Sequence, residues 1–482
     1  MIRQIAPHIA TACARVPPDP PSQISTESRN IPDAINVPVY ISQHTPSRID
    51  AFPTSPFTAP LKERPSEEDD QVLYHRIPYR SHGQITAALL ESLEIEKLSA
   101  DPRGMDAQIV VDFLAEALRS QELQSKTERK RALNLLRRIA KSCQVFTKCT
   151  ELSGVQCDLV NPTNDEGGYG LIYRGVFKGQ AVCVKAVRVY NSDAKARRVL
   201  RAQAGELALL AHVSHPNVIP LYGAYLSAES KPRICMVTPW MENGDLAEYL
   251  KKHPDTPRIS LMSDVADGLQ FLHDMSIIHA DLKARNVLIS GSLRAMLADF
   301  GVSTIVSTNV GGTTAGDFAR SDFWTAPELL LAMTTSLPPP TPQSDMWGYG
   351  CICYEVLTGE IPFIEYSQYP SSAPLILAFM RCQVTPLRPT QNCNPIIVDG
   401  GALLTLAEKC WNYEPSQRPS AVEALQFLAE LNVQDERPSV EEELAMFEAI
   451  RGERDEVKID YGQVLSIIEK YKLDKLVGPK TN

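Results

Sequence analysis

The chain has 482 residues, 44% of them hydrophobic, which is enough for two or three domains and at least one substantial core. Its formal net charge of −10 argues against general binding to nucleic acid or to an anionic membrane, because such partners require clustered Lys and Arg. The 11 cysteines include no C-x-x-C pair, which argues against a zinc site or a dense disulfide framework and favours a reducing, intracellular compartment.

The sequence gives little indication of a membrane-spanning or targeting segment. No apolar run reaches the roughly 20 residues that a membrane-spanning helix requires, so we expect no membrane span. The opening stretch "MIRQIAPHIATACARV" has two arginines and no acid, as mitochondrial presequences do, but Pro7 interrupts any helix there. We therefore expect a cytoplasmic protein, without excluding the nucleus.

Residues 1–80 are rich in proline, serine and charged side chains, as in "VPPDPPSQ" and "FPTSPFTAPLKERPSEEDD". They show no sustained hydrophobic periodicity, so they cannot bury enough apolar surface to offset the entropy lost on folding. This composition predicts a disordered N-terminal segment.

Residues 81–150 have a different pattern, because "ITAALLESLEIEKL", "AQIVVDFLAEAL" and "ERKRALNLLRRIAKS" carry apolar residues three and four positions apart. This spacing predicts amphipathic helices, with "DPRG" as a break. We interpret them as a helical extension that braces the following domain; binding of a regulatory partner is the alternative. The basic stretch "KTERKRALNLLRR" is typical of a solvated helix face, with a docking patch as the alternative.

Residues 155–432 begin with strands and continue with helices. "GLIYRGVFKGQAVCVKAV" alternates around a "KG" turn and predicts a hairpin, and "VIPLYGAYL" and "RICMVTPW" predict further strands. "SLMSDVADGLQFLHDM", "SDMWGYGCICYEVLTG" and "SAVEALQFLAEL" have helical spacing. This segregation predicts an α+β domain with a strand-rich lobe followed by a helical lobe. The tail, residues 433–482, again predicts helices.

Three glycines in "DEGGYGLIY", Gly167, Gly168 and Gly170, stand between a loop and a strand. Glycine allows backbone amides to approach a polyphosphate, although a hairpin turn uses it equally well. Lys185 ends the apolar strand "VCVK", where burial of its ammonium group is costly unless a phosphate or a carboxylate meets it. Glu206, in "AGELALLAHV", is a candidate carboxylate, although a lone Glu on a helix is usually solvated.

The segment "IIHADLKARNVLI" places Asp281, Lys283 and Asn286 together between two apolar runs. Asp281 is suited to orient a hydroxyl or accept its proton, Lys283 to neutralise a phosphoryl group, and Asn286 to offer an amide oxygen to a hard cation. Asp299, in "LADFG", adds a carboxylate after a similar strand. One carboxylate and one amide, completed by phosphate oxygens, is a usual way of holding Mg²⁺. Each piece alone also fits a capped polar turn, but the ordered set is far more specific.

This ordered set resembles the eukaryotic protein kinase catalytic domain. The resemblance covers Val155 to Asn432 and includes the glycine loop, "VCVK", "HADLKARN", "DFG", "APE", "SDMWGYG" and "RP". It implies the bilobal α+β kinase fold, with an antiparallel β-sheet and one helix in the N-lobe and a mainly α-helical C-lobe. It also implies ATP and Mg²⁺ as cofactors and a protein Ser/Thr hydroxyl as the acceptor, in intracellular signalling.

The resemblance implies a catalytic role for four residues. Lys185 would bind the α- and β-phosphates of ATP while paired with Glu206. Asp281 would be the catalytic base, and Lys283 would contact the γ-phosphate.

Nucleotide, metal and structural roles follow in the same way. Asn286 and Asp299 would hold Mg²⁺. Glu328 would pair with Arg418 in a structural role. The ATP site would be formed by Gly167, Gly168, Gly170, Ile172, Cys183, Lys185, Thr238, Met241 and Leu288.

Two positions indicate the branch of the family. Lys283, two residues after the proposed base, and Ser321, seven residues before Glu328, match serine/threonine kinases. "WTAPE" and "ARN" are closer to tyrosine kinases. The mixture resembles the tyrosine-kinase-like branch of serine/threonine kinases, and "PWMENGDL" and "CW" are also similar to large fungal kinase families.

The sequence departs from the family pattern at several positions. Asp165 replaces the first loop glycine, Cys183 replaces the usual alanine over the adenine, and Ala280 replaces the arginine before the base. Without that arginine a phosphorylated activation loop loses its principal partner, so we expect activity that needs no loop phosphorylation or is governed by the extensions. A pseudokinase, acting as an ATP-binding scaffold or interaction module, is the alternative to an active enzyme.

Overall fold

The structure is a computed structural model of the chain. It describes residues 81–93, 95–99, 104–120, 123, 125–163, 170–187, 204–205, 207–227, 229, 233–299, 322–331, 338–366, 373–387, 400–452 and 457–471. Residues 1–80, which we predicted to be disordered, lie outside the described residues, as do Gly167, Gly168 and Glu206.

Helices precede the sheet, as the periodicity of this region predicts. They are α1 (His82–Ser92), α2 (Ile95–Ser99), α3 (Met105–Arg119) and α4 (Lys126–Cys143). The apolar pattern of "ITAALLESLEIEKL" is interrupted, because Leu93 adopts an extended conformation with φ −81° and ψ 123° and ends α1. The stretch predicted as one helix therefore forms two, α1 and α2.

The N-lobe sheet contains five antiparallel strands in the described part of the chain. They are β1 (Gln156–Cys157), β2 (Gly170–Phe177), β3 (Gln180–Val187), β4 (Gly223–Leu226) and β5 (Ile234–Pro239), in the order β1-β2-β3-β5-β4. The predicted hairpin is confirmed, with Lys178 and Gly179 at positive φ (50° and 78°) in the turn between β2 and β3. Such a turn matches the right-handed twist of the strands it joins. Helix α5, residues 204–210 with residue 206 outside the described part, precedes β4.

The strand predicted from Val218 onward begins only at Gly223. The preceding backbone is bonded to the C-lobe, since Leu297 N donates to Asn217 O and Ile219 N donates to Leu297 O, both at 2.9 Å. Groups used in this way are not available to the N-lobe sheet. The apolar run is therefore divided between the two lobes, which hydrophobic periodicity alone does not indicate.

The C-lobe is mainly helical and is built around a buried central helix, α9. Its elements are α6 (Leu246–Lys252), α7 (Arg258–Asp274), β6 (Val287–Ile289), β7 (Ala295–Leu297), α8 (Pro327–Leu331), α9 (Pro342–Thr358), α10 (Ala373–Arg381), α11 (Gly400–Cys410) and α12 (Ala421–Ala429). Helix α9 begins at a reciprocal cap between Thr341 and Ser344, ends at Gly359 with φ 73°, and buries Trp347 and Tyr349 completely. This arrangement confirms the predicted bilobal α+β fold. No helix of the described residues combines the length and apolar character needed to cross a bilayer.

The tail returns to the N-terminal helices. It forms α13 (Glu441–Gly452) and α14 (Tyr461–Lys470), and α14 packs on α1 and α3. Tyr461 Oη lies 2.8 Å from His82 Nε2, and Asp106 accepts hydrogen bonds from Lys470 Nζ at 2.7 Å and Tyr471 Oη at 2.8 Å. We call α1–α4 together with α14 the helical module. Its buried apolar side chains are continuous with the cores of both lobes.

A buried ion pair joins the tail to the C-lobe. Arg437 Nη1 lies 2.5 Å from Asp264 Oδ2 on α7, and Arg437 Nη2 lies 3.1 Å from Asp264 Oδ1. Burial raises the pKa of Asp264, although the Arg437 guanidinium acts in the opposite direction. The ion pair therefore offsets only part of the cost of burying this carboxylate.

Arg437→Met should lower the free energy of unfolding by about 3 kcal/mol, because Asp264 stays buried without the cation that hydrogen-bonds it, and Arg294 Nη1 is 4.0 Å from Asp264 Oδ1, too far to replace these bonds. The double variant Asp264→Asn/Arg437→Met should lose less, since it leaves no charge buried. Urea unfolding of the full chain would measure both, with Lys470→Met as a control that breaks an exposed pair and should change stability little. Equal losses in the single and double variants would contradict this account.

Candidate active site

Two predicted catalytic residues, Asp281 and Lys283, and both predicted metal ligands come from a loop and a short hairpin of the C-lobe. The loop ends in a 3-10 turn, Ala284–Asn286, which leads directly into β6. β6 and β7 pair antiparallel, and Ala298 N donates to Asn286 O at 2.9 Å. Asn286 at the start of the hairpin and Asp299 after its end are therefore brought to the same edge.

Asp281 is buried and receives two side chains. Lys283 Nζ lies 2.9 Å from Asp281 Oδ2 and 3.2 Å from Oδ1. Asn286 Nδ2 donates to Asp281 Oδ2 at 2.8 Å and to Asp281 O at 2.7 Å. These three predicted residues form one hydrogen-bonded cluster whose geometry is fixed from both sides.

Asp345 on α9 holds the loop that carries this cluster. Asp345 is 2% exposed, and its carboxylate accepts hydrogen bonds from His279 N and Ala280 N, each at 2.9 Å. Ala280 has φ 65°, a left-handed conformation that an L-residue adopts only when its surroundings impose it. His273 Nε2 also lies 2.9 Å from Asp345 Oδ2. The buried carboxylate therefore sets the backbone immediately before Asp281.

Lys185 reaches Asp299 across the cleft between the lobes. Lys185 is 7% exposed, and its Nζ lies 2.7 Å from Asp299 Oδ1. Burial acts to raise the pKa of Asp299, but the nearby Lys185 ammonium outweighs it, and the net pKa is lowered. Asp299 therefore presents an ionised carboxylate. The predicted partner Glu206 lies outside the described residues.

Four of the predicted nucleotide-binding residues share one face of the N-lobe sheet. Ile172 pairs with Lys185 between β2 and β3, and Cys183 pairs with Thr238 between β3 and β5. Strand residues two apart point to the same side, so all four side chains face the same way. Burial raises the pKa of the Cys183 thiol to about 11, so it stays protonated near neutral pH and behaves as an apolar group.

Three further predicted nucleotide-binding residues lie in the described part of the chain. Gly170 begins β2, Met241 is buried just after β5, and Leu288 is on β6. Leu288 also bridges to Asp245, which caps α6.

The predicted metal ligands fit a hard cation that also binds a phosphate. Both N–H groups assigned to Asn286 Nδ2 point to Asp281, so the amide oxygen Oδ1 is directed away from that carboxylate. Asp299 adds an ionised carboxylate. Within the described ranges, no three His, Cys, Asp or Glu side chains converge as a complete metal cage. Two oxygen ligands from the protein, with phosphate and water completing the shell, suit Mg²⁺.

Glu355 is a site residue that the sequence interpretation missed. Its Oε2 accepts hydrogen bonds from Ala284 N at 2.9 Å and Trp324 Nε1 at 2.8 Å, so it joins the catalytic loop to the segment before α8. Burial raises the pKa of Glu355 to about 7 despite these two donors. The available signal was an isolated acid within the apolar run "CICYEVL", and Asp345 at the start of the same helix is a second example.

The expected pair of Glu328 and Arg418 is present. Arg418 Nη1 and Nη2 each lie 2.7 Å from one Glu328 carboxylate oxygen, a bidentate geometry that gives strong, directional bonds. The guanidinium carbon of Arg418 also lies 5.2 Å from the centre of the Trp347 ring. This pair attaches α8 to the core beneath it.

Comparison with known proteins establishes the family. A family model described as the protein kinase domain matches residues 165–428, more than half of the chain. The chain belongs to the protein kinase family. This match confirms the resemblance to the protein kinase catalytic domain that the sequence motifs indicated.

The kinase domain has relatives in plants and in a social amoeba. It is 31% identical over 262 residues to serine/threonine/tyrosine-protein kinase HT1 of Arabidopsis thaliana, covering 52% of this chain and 61% of that protein. A probable serine/threonine-protein kinase of Dictyostelium discoideum is 29% identical over 270 residues, with 55% of this chain and 27% of that protein covered. Serine/threonine-protein kinase STY17 of Arabidopsis thaliana is 30% identical over 269 residues, with 55% and 43% covered.

The chain therefore spans less than two thirds of the length of each of these relatives. Their names, which include both serine/threonine and serine/threonine/tyrosine kinases, fit the predicted tyrosine-kinase-like branch. The resemblance to fungal kinases stays a prediction.

The kinase domain should show a pH-dependent stability that depends on Glu355. Since burial raises its folded pKa to about 7, the folded state keeps a proton that the unfolded state releases above its ordinary value of 4.5. The free energy of unfolding should therefore fall as pH rises through this window, by about 2–3 kcal/mol from this residue.

Glu355→Gln should remove this contribution, because its amide oxygen still accepts from Ala284 N and Trp324 Nε1 but carries no charge. Urea unfolding at pH 5 and pH 8 would show the variant to be more stable than wild type at pH 8 only. Glu360→Gln, at an exposed position one turn further on, serves as the control. An identical pH profile for Glu355→Gln and wild type would refute the assignment.

Proposed function

We propose that the protein is a serine/threonine protein kinase that transfers the γ-phosphoryl group of ATP to a protein hydroxyl. The observation that supports the proposal is a cluster of a buried carboxylate (Asp281), a cation (Lys283) and an amide (Asn286), close to the ion pair of Lys185 and Asp299. Asp281 is 2.9 Å from Lys283 Nζ and 2.8 Å from Asn286 Nδ2, and Lys185 is 2.7 Å from Asp299. Charge neutralisation and positioning of this kind are what phosphoryl transfer requires.

In this mechanism Asp281 orients the acceptor hydroxyl and accepts its proton. The hydroxyl oxygen forms a bond to the γ-phosphorus as the bond from that phosphorus to the β,γ-bridging oxygen breaks, and ADP leaves. Lys283 and Asn286 keep the Asp281 carboxylate in one orientation. Lys283 also provides positive charge close to the place where negative charge on the transferring group must be stabilised.

Lys185 and Asp299 act on the nucleotide side of the cleft. Lys185 is positioned to donate to the α- and β-phosphates, and its burial strengthens this interaction. Mg²⁺, when bound, would neutralise charge on the β- and γ-phosphates. Asn286 and Asp299 are the residues that would hold it, since both lie at one edge of the β6–β7 hairpin.

Serine and threonine in proteins are the proposed acceptors. Lys283 supports this choice, as do the serine/threonine kinase names of the relatives. We place the reaction inside the cell, where ATP is available. Ser321, which would add to the argument, lies outside the described residues.

Phosphorylation of the activation loop is not part of this proposal. Ala280 offers only a methyl group at the position before the base, so it cannot bind a phosphate on that loop. Asp345 fixes the backbone of this residue without help from a modified loop. The pseudokinase alternative gains no support from the cluster, since none of its charged members is replaced or displaced in the described cleft.

Asp281→Asn should lower phosphate transfer to a generic Ser/Thr protein substrate by about 100-fold or more, because the base is lost. ATP binding should change little, since the role proposed for Asp281 is toward the acceptor hydroxyl and not toward the nucleotide. Incorporation of labelled phosphate would measure the first effect, and the thermal shift produced by Mg²⁺-ATP the second. Asp255→Asn, an exposed Asp on the same lobe, is the matched control and should keep wild-type activity.

Two outcomes would count against the enzyme. Wild-type activity in Asp281→Asn would remove the base assignment. If the wild-type protein transfers no phosphate but still shows a thermal shift with ATP, the result would support the pseudokinase scaffold instead of an active enzyme.

A further inference from the structure

The described residues of helix α5 are all buried. Its described residues are apolar or small, and Ala204, Leu207, Ala208, Leu209 and Leu210 are each at most 9% exposed. A helix that lies on only one sheet normally presents a polar face to water. The outer face of α5 is instead covered by the helical module.

Helix α4 makes the closest contact with this outer face. A Cβ atom placed on Gly205 would lie 2.9 Å from Arg137 O and 2.9 Å from Lys141 Cβ, both on α4. Real Cβ atoms almost never approach other heavy atoms so closely, so only glycine fits without movement of one helix. Gly205 therefore marks a backbone-to-backbone contact between the module and α5.

The C-terminal half of α5 and the neighbouring strand β4 are contacted by helix α3 and by the segment after α4. His212 lies between two carbonyl oxygens, with Nε2 3.2 Å from Ala115 O on α3 and Nδ1 2.8 Å from Ala208 O on α5. Buried Asp112 on α3 accepts from Lys148 N at 2.9 Å. A few residues later Leu152 N donates to Ala224 O on β4 at 2.9 Å, which joins the same segment to the sheet.

Helix α13 holds the C-terminal end of α5. Arg451 is buried, and its Nη2 donates to Ala211 O at 2.5 Å, directly after the last residue of the helix. Arg451 Nη1 is paired with Glu448 at 2.9 Å, and the same carboxylate accepts from Ser214 Oγ at 2.8 Å.

The other end of α13 is bound to the C-lobe. Glu443 accepts from Gly291 N at 2.8 Å and Ser292 N at 3.1 Å, in the turn between β6 and β7. Glu443 and Arg451 are about 12 Å apart along one rigid helix. Helix α13 therefore connects the hairpin that carries Asn286 to the end of α5.

We propose that the helical module and α13 position α5 for catalysis, and that Gly205 and Arg451 are positioning residues for phosphoryl transfer. This inference rests on the proposed kinase function and on the expectation from the sequence that Glu206, next to Gly205, is the partner of Lys185. A helix held from its outer face and from its C-terminal end is kept in a fixed position relative to β3, the strand that carries Lys185. The extension is then a part of the enzyme that acts in cis, rather than a site for a separate activator.

The first test is Gly205→Leu in the full chain, with Gly401→Leu on α11 as the matched control, because nothing lies within 4 Å of a Cβ there. Gly205→Leu should separate α4 from α5 and raise amide hydrogen exchange in residues 204–213 about tenfold. The kcat for a Ser/Thr peptide should fall about tenfold, while the KM for the peptide stays within about twofold, since α5 does not touch the acceptor. Gly401→Leu should change none of these values.

A second pair of variants guards against misfolding of Gly205→Leu. Arg451→Met keeps the length of the side chain but removes the donor to Ala211 O, and it should lower kcat about tenfold with an unchanged KM. Arg451→Lys retains a donor and a charge for Glu448, so its kcat should lie within about threefold of wild type. If Arg451 had a purely structural role, Arg451→Met would not lower kcat while leaving KM unchanged, and Arg451→Lys would not restore kcat.

The positioning proposal fails if wild type is active and exchange at 204–213 rises in Gly205→Leu or Arg451→Met while kcat stays at the wild-type value. It also fails if both variants leave exchange at 204–213 unchanged. An inactive wild-type protein would refute the proposed function itself, so the two failures are distinguished by the wild-type assay.

Discussion

The catalytic loop depends on one buried carboxylate, that of Asp345. It accepts hydrogen bonds from the backbone of His279 and Ala280, and it lies against His273. The left-handed conformation of Ala280 is unfavourable for a residue with a Cβ and persists because these bonds compensate for it. Asp281 follows directly, so the direction of its side chain is set by a contact that a helix more than 60 residues away provides.

Charge in the cleft is arranged as neighbouring pairs of opposite sign. Lys185 meets Asp299, and Lys283 meets Asp281. Lys185 and Asp281 are buried, and burying either charge without a partner would be costly. A nucleotide bringing several negative charges and a divalent cation would be bound by groups that are already charged and oriented, so little reorganisation is needed when the reaction begins.

The sequence predicted those parts of the structure whose cause is local. The hairpin at 170–187 follows from alternation and a turn, and most helices follow from apolar spacing. Long-range contacts account for the differences. The backbone near Val218, expected to be a strand, is hydrogen-bonded to the C-lobe instead. The roles of Asp345 and Glu355 depend on helix α9 passing under a loop that is distant in sequence. The pattern of the N-terminal helices likewise indicated an apolar face but not which lobe would cover it.

The contact between Tyr461 and His82 joins segments from nearly opposite ends of the described chain. During synthesis the helices that precede the N-lobe leave the ribosome before both lobes, but α14, which packs on them, leaves after both lobes. Both lobes are complete in the nascent polypeptide before this helix is available. A ribosome-bound chain halted before residue 461 would thus carry an exposed apolar groove on α1 and α3, a surface that chaperones recognise and that disappears only when translation reaches the tail.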